Sequence, residues 1–211
     1  MPITLFAFDW SGTLSDDRPP VYETNMRMRA AYGLPHITYA QWLEGSVGNV
    51  VDLFQITNPN LTTEQIWSDY KRLFDEVLAE GTEPTMYEAV PALIRALRNA
   101  NKIVGIVSAH PQKNLEAEAE RYGLREHFDF VIGDCRAKDA ALREMAQLYV
   151  DNPTTQALYT GDTIQDMHYA KLAGYRAVAI GTGYQSEAQL RAVNPDYYVD
   201  THADFYPLIN S

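Results

Sequence analysis

Two hydrophobic rhythms alternate along the chain. Short apolar runs, as expected of strands buried on both faces, alternate with stretches whose apolar positions recur every three or four residues, as expected of helices. "ITLFAFD" is the first such run, and from Glu88 onward the alternation is regular. "YEAVPALIRALRNA" predicts a helix, "KIVGIVS" a strand, "NLEAEAERYG" a helix closed by glycine, and "FDFVIGD" a strand. "KDAALREMAQLY", "IQDMHYAKLAG" and "SEAQLRAV" continue as helices, interleaved with the strands "QALYTGD", "YRAVAIG" and the short "DYYVD". The pattern predicts an α/β fold: a doubly wound, mainly parallel, Rossmann-like sheet with helices on both faces.

Residues 15–85 break this rhythm, because they offer helices without intervening strands. "PPVYETNMRMRAAYG" has prolines suited to a first helical turn and a glycine stop, with Asp16 and Asp17 ahead of it as capping candidates. "TYAQWLEG" and "NVVDLFQI" predict shorter helices. "TTEQIWSDYKRLFDEVLAEG" opens with a capping box, Thr62 to Gln65, and carries Ile66, Tyr70, Leu73, Phe74, Val77 and Leu78 on one face. The expected division is therefore an α/β core of residues 1–14 and 86–211 and a small all-helical domain of residues 15–85. No internal repeat or low-complexity tract interrupts either part.

Composition narrows the function. With 211 residues, 46% of them hydrophobic, the chain can bury a substantial core. A formal charge of −11 argues against nucleic acid or an anionic membrane as partner, since both require clustered Lys and Arg. A small anionic metabolite remains compatible, provided that local cations receive it. Cys135 is the single cysteine, which rules out an intramolecular disulfide or a cysteine-built metal site, and it reads as a small residue near a strand end. "MPITLFAFDW" has neither the basic region nor the long apolar stretch of a signal peptide, and no later apolar run reaches membrane-spanning length. A cytoplasmic protein is expected. The sequence leaves its oligomeric state open.

Chemistry-bearing residues sit at the ends of the predicted strands. Asp9 follows "FAF", Ser108 follows "VGIV", Arg136 and Lys138 follow "FVIGDC", and Asp162 and Asp166 lie in "YTGDTIQD". In a parallel sheet these ends converge on one edge. Three carboxylates in one cleft repel one another unless a cation neutralises them, and an all-oxygen acidic cluster suits Mg²⁺. A hydroxyl and a lysine nearby can hold the remaining oxygens of an anionic ligand. The set fits nucleophilic catalysis by a carboxylate assisted by a metal, with a covalent intermediate on Asp9.

With "FAFDWSGTL", "IVGIVS", the lysine of "RAKDAAL" and "LYTGDTIQD" in that order, the chain resembles the haloacid dehalogenase superfamily, most members of which are Mg²⁺-dependent phosphatases. The resemblance implies Asp9 as nucleophile and metal ligand, Ser108 and Lys138 as binders of the transferred phosphoryl group, and Asp162 and Asp166 as metal-site carboxylates. It also implies Gly12, Thr13, Ala109 and His110 as substrate contacts, and the helical insert as a cap that closes over the site. A small phosphorylated metabolite is the implied substrate. Ser11 departs from the pattern. Phosphatases of the superfamily carry there an aspartate that protonates the leaving oxygen and then activates water. A serine hydroxyl does not supply a proton in that way near neutral pH, although its backbone carbonyl, the family's metal-facing atom at this position, is retained. Turnover should therefore suffer more than binding.

Other branches of the superfamily also lack that aspartate. Phosphonoacetaldehyde hydrolases have a similar first motif but need a cap lysine, and there is none between Asp9 and Tyr70. Two-haloacid dehalogenases follow the second-motif serine with asparagine, where this chain reads Ser-Ala-His, and work without metal. Ion-pumping ATPases have a membrane part. The competing expectations are thus a hydrolase of another bond, carbon–halogen first, or a metabolite-binding or regulatory protein with little turnover. His110, Asp16 and Asp17 are candidates to replace the missing acid. The plainer roles are helix capping, His110 at the helix that starts near Pro111 and the aspartates at the insert's first helix. Arg27, Arg29 and Arg72 could reach an anionic substrate or simply face solvent. "EGSVGNV", with Gly45 and Gly48, is a specificity loop or a plain turn. Trp42, Trp67 and Tyr70 read as insert core, and Asp134 as a strand end. Arg136 is a weaker phosphate ligand than Lys138.

Overall fold

The computed structural model describes residues 2–45 and 50–209. Its strands are β1 (Leu5–Phe8), β2 (Ser15–Asp16), β3 (Thr85–Met86), β4 (Ile103–Val107), β5 (Phe130–Ile132), β6 (Ala157–Gly161), β7 (Arg176–Ile180) and β8 (Tyr197–Val199). Six of them form one sheet in the order β5-β4-β1-β6-β7-β8, parallel throughout, while β2 and β3 make a separate two-stranded sheet. The predicted doubly wound α/β architecture is therefore present.

The helices are α1 (Arg18–Ala31), α2 (Tyr39–Gly45), α3 (Val50–Thr57), α4 (Thr63–Ala79), α5 (Val90–Asn99), α6 (Gln112–Arg121), α7 (Lys138–Tyr149), α8 (Pro153–Gln156), α9 (Ile164–Leu172), α10 (Glu187–Ala192) and α11 (Tyr206–Ile209). None among the described residues is long and apolar enough to cross a membrane. Strand β1 is buried along its whole length because each of its faces meets a helical layer. Phe6 and Phe8 join one core with Leu93, Leu97, Leu115 and Phe205. Leu5 and Ala7 face the other, with Leu142, Met167, Ala170 and Tyr159.

The chain forms two compact units, Met1–Asp16 with Met86–Ser211, and Asp17–Thr85. The second has its own small core of Met28, Val51, Phe54, Ile66 and Leu73, built from α1, α3 and α4. Helix α4 begins at the capping box read from the sequence, with Thr62 accepting from the Gln65 N–H and Gln65 reaching back to the Thr62 N–H. At α1, Asp17 occupies the capping position but its side chain makes no capping hydrogen bond, so the expected role of that carboxylate is not fulfilled. Prolines in the first turn leave fewer N–H groups there to cap.

Candidate active site

Register brings the chemistry together. Phe8 pairs with Ile106 on one side and Thr160 on the other, so Asp9, Ser108 and Asp162 leave neighbouring strands at nearly the same level. The Asp9 N–H donates to the Thr160 carbonyl at 2.8 Å, and the Ser108 N–H to the Ile132 carbonyl at 2.9 Å, extending the ladder past the strand ends. After Asp9 the backbone folds back at once. The Thr13, Leu14 and Ser15 N–H groups converge on the Trp10 carbonyl, and the Gly12 N–H donates to Ser15. That turn needs φ = +70° at Gly12, a conformation that side-chain-bearing residues rarely adopt.

Asp9, Asp162 and Asp166 are all buried, and one carboxylate oxygen from each lies within 4.8 Å of the other two. The Lys138 ammonium sits among them, 2.7 Å from Asp166 Oδ1 and 2.9 Å from Asp9 Oδ1. Asp166 is fixed once more by Thr163, which caps α9 in a reciprocal box with it; the Tyr159 hydroxyl lies 3.3 Å from its Oδ1 and donates at 2.9 Å to the Val107 carbonyl. Asp162 accepts from Thr13 Oγ1 at 3.1 Å and from the Tyr184 N–H at 2.8 Å. Asp9 Oδ1 touches Lys138 as an ion contact but receives no directed hydrogen bond.

Among the described residues, three buried carboxylates stand against one buried ammonium, a formal excess of two negative charges. Burial pushes the Asp162 carboxyl well above its usual range, and the fields of Asp166 and Asp9 add to this, outweighing the Tyr184 N–H and Lys138. Burial and Asp166 likewise raise Asp9 against the pull of Lys138 and Ser108. Lys138 is raised: burial opposes its charge, but Asp166 and Asp9 together win, so it stays an ammonium. The donor set is all oxygen, anionic in excess, and includes one buried oxygen without a hydrogen bond. Those are the features that a divalent oxygen-binding cation satisfies, so the residues fit a metal held by Asp9, Asp162 and Asp166.

At the end of β4, Ser108 is 1% exposed and accepts from the His110 N–H at 3.2 Å, and Ala109 is exposed beside it. His110 does not cap α6. The N–H of Gln112 is taken instead by the carboxylate of Asp134, which stands at φ = +52° after β5 and outside the acidic cluster. The His110 ring lies between Ser11 and Glu118, with Nδ1 3.5 Å from Ser11 Oγ and Nε2 3.2 Å from Glu118 Oε1. The other oxygen of Glu118 accepts from the indole of the fully buried Trp10 at 2.7 Å.

The softer candidates separate. Arg136 is exposed whereas Lys138 is buried in the cluster. Arg27 pairs with Glu23 and Glu80, and Arg72 with Asp69 and Glu76, while Arg29 donates to the Pro35 carbonyl. These contacts explain the three arginines as intra-unit ties. Trp42 is buried in its own unit, Trp67 and Tyr70 pack edge to face, and Gly45 ends α2. Gly48 lies outside the described residues.

Sequence reading did not anticipate the second ring of contacts. Thr182 Oγ1 donates to the Gly12 carbonyl at 2.8 Å, and Tyr87 donates to the Thr182 carbonyl at 2.7 Å. His202, 2% exposed and tilted against Tyr87, donates from Nε2 to the Thr13 carbonyl at 2.6 Å. Burial lowers the His202 pKa, although its bond to Thr13 favours the charged form. The unfolded chain therefore takes up a proton near pH 6.5 that the folded chain refuses, so this contribution to stability is full above about pH 6.5 and falls as pH drops. In urea unfolding at pH 7.5 and 5.5, His202→Gln should lose about 1 kcal/mol at the higher pH and show a smaller difference between the two pH values than the parent.

A family model described as haloacid dehalogenase-like hydrolase matches residues 6–180. The chain belongs to that family. Its relatives in the haloacid dehalogenase-like family include a phosphoglycolate phosphatase from Vibrio vulnificus, 26% identical over 98% of this chain and 96% of its own. An N-acetylmuramic acid 6-phosphate phosphatase from Pseudomonas aeruginosa is also 26% identical, over 87% and 84%. Among solved structures, a haloacid dehalogenase-like family hydrolase from Streptococcus pneumoniae superposes with a TM-score of 0.79 at 20% identity, covering 97% of both chains. The protein is thus a hydrolase of this family, and its fold is the family's fold.

Proposed function

We propose that this hydrolase is a Mg²⁺-dependent phosphatase of small phosphorylated metabolites that works through an aspartyl-phosphate on Asp9, with the unit of residues 17–85 as its cap. The observation that carries the reading is the buried carboxylate cluster ionically tied to a single lysine. A cluster with a formal excess of two negative charges suits a site built around a cation and its phosphate ligand. Bound Mg²⁺ would neutralise the charge of the phosphoryl oxygens and allow an anionic nucleophile to approach an anionic ester. Asp9 attacks phosphorus, and the ester oxygen leaves as the Asp9–phosphorus bond forms. Lys138 balances the charge that Asp9 and the phosphoryl group share, and the Ser108 hydroxyl holds a phosphoryl oxygen. Thr163 keeps Asp166 from rotating, and Thr13 and the Tyr184 N–H do the same for Asp162.

Phosphatase names among relatives aligned over most of their length favour a phosphomonoester over a carbon–halogen bond. Two such names point to different substrates, a two-carbon acid phosphate and a sugar 6-phosphate, so the class is set more firmly than the metabolite. The test is a panel assay with Mg²⁺ that includes 2-phosphoglycolate, several sugar 6-phosphates and a 2-haloacid. Phosphate release from at least one ester without halide release is expected. Halide release that survives a chelator would overturn the reading, and saturable ester binding without any turnover would favour a binding protein.

A further inference from the structure

The Ser11 hydroxyl, the His110 imidazole and the Glu118 carboxylate form a continuous line that starts two residues after Asp9. Ser11 follows Asp9 by two residues and is partly exposed. His110 and Glu118 are largely enclosed, with side-chain exposures of 12% and 15%. Glu118 is anchored from behind by the Trp10 indole, itself part of the first motif and packed on Tyr122. A carboxylate only accepts, so Glu118 Oε1 requires a proton on Nε2 of His110. In the neutral ring this tautomer leaves the Nδ1 lone pair facing Ser11 Oγ, where the hydroxyl can donate to it. The 3.5 Å separation is long for a hydrogen bond, as catalytic contacts often are before substrate binds.

We propose that Ser11, His110 and Glu118 together act as the proton relay that replaces the aspartate missing from the first motif. The inference rests on the phosphatase reading and adds to it the group that moves the proton. In the first step the ester oxygen departs from phosphorus and takes the Ser11 hydroxyl proton, which a protonated His110 restores from Nδ1. In the second step water attacks the aspartyl-phosphate, a new oxygen–phosphorus bond forms and the bond to Asp9 breaks. The water's proton passes to Ser11 Oγ as the Ser11 proton moves to His110 Nδ1, so the proton lent in the first step is returned. Glu118 holds the ring's tautomer and carries the opposite charge while His110 is an imidazolium. Its own pKa lies below the usual carboxylate range: burial pulls it up, but the hydrogen bond and charge of His110 and the Trp10 hydrogen bond outweigh burial. The arrangement follows the logic of a nucleophile–base–orienting carboxylate triad, with Asp9 instead of Ser11 as the nucleophile.

The test compares p-nitrophenyl phosphate, whose leaving group needs little protonation, with an alkyl phosphate, in the parent, His110→Gln, Glu118→Gln and the double variant Ser11→Asp with His110→Gln. His110→Gln should lower alkyl phosphate turnover by about 10²–10⁴-fold and p-nitrophenyl phosphate turnover far less, provided that formation of the aspartyl-phosphate limits the rate, which rapid-quench measurement reports. Glu118→Gln should show the same pattern more weakly, and Ser11→Asp should restore alkyl phosphate turnover to His110→Gln. Nitrogen-15 spectra of the parent should show His110 protonated at Nε2, a readout that does not require activity. When formation of the aspartyl-phosphate limits the rate, an equal loss on both esters overturns the relay; no loss on either ester, or a neutral ring whose single proton sits on Nδ1, overturns it in any case. A parent that releases phosphate from neither ester removes the phosphatase reading itself, and the parent measurement alone decides that.

Discussion

Asp9→Asn is expected to reduce phosphate release by roughly 10⁴–10⁶-fold, the scale seen when a covalent nucleophile is removed, while the fold survives or gains stability. The two halves of this expectation have one cause. Asp9 is buried and its carboxyl is held above its usual pKa, with one oxygen lacking a hydrogen bond, so the charged form is costly in the folded state. An amide of the same shape removes that cost and the repulsion from Asp166, and Lys138 keeps its 2.7 Å contact with Asp166. Function held at the expense of stability is a familiar pattern at active sites. Steady-state kinetics paired with thermal unfolding in the absence of metal checks both halves. A melting temperature well below that of the parent would mean that Asp9 is a structural ion-pair partner first.

The second large effect is expected at a residue with no side chain. A Cβ on Gly183 would lie 1.9 Å from Asp162 Oδ2, closer than any relaxation of that atom alone can relieve, because Asp162 is fully buried and pinned by Thr13 and the Tyr184 N–H. Gly183→Ala must therefore shift either the carboxylate or the loop after β7. Misplacement on the order of 1 Å near a reacting centre can cost about 10²-fold, and Gly183→Ala should lose at least that in turnover together with Mg²⁺ affinity measured by calorimetry. Tyr184→Phe, which keeps the backbone N–H that Asp162 uses, should change the metal affinity little.

The strand ends were legible because a parallel sheet with helical crossovers has one active edge, and Asp9, Ser108, Lys138, Asp162 and Asp166 each stand at the end of an apolar run or at the start of the next helix. Lys138 is buried against Asp9 and Asp166, whereas Arg136 is exposed. The capping box at Thr62 was readable from four residues. The one at Thr163, which fixes Asp166, has the same spacing and could have been read as well. What remained hidden depends on contacts between distant segments. Glu118 sits on a helix whose polar residues look solvated, and its role appears only when Trp10, 108 positions earlier, reaches it. His202 lies 189 residues from the Thr13 carbonyl that it holds. Arg27 and Arg72 looked available to a substrate because their partners on the same helices, and Glu80 on another segment, compete for them only once the unit is folded.

The expected losses of turnover and of metal affinity depend on the buried carboxylates being a cation site that serves phosphate chemistry. The most direct measurement is phosphate release from the best ester of the panel, first with Mg²⁺, then in excess chelator, then with Mg²⁺ restored. The carboxylate geometry predicts release that vanishes in chelator and returns with the metal. Release that continues undiminished in chelator would contradict it.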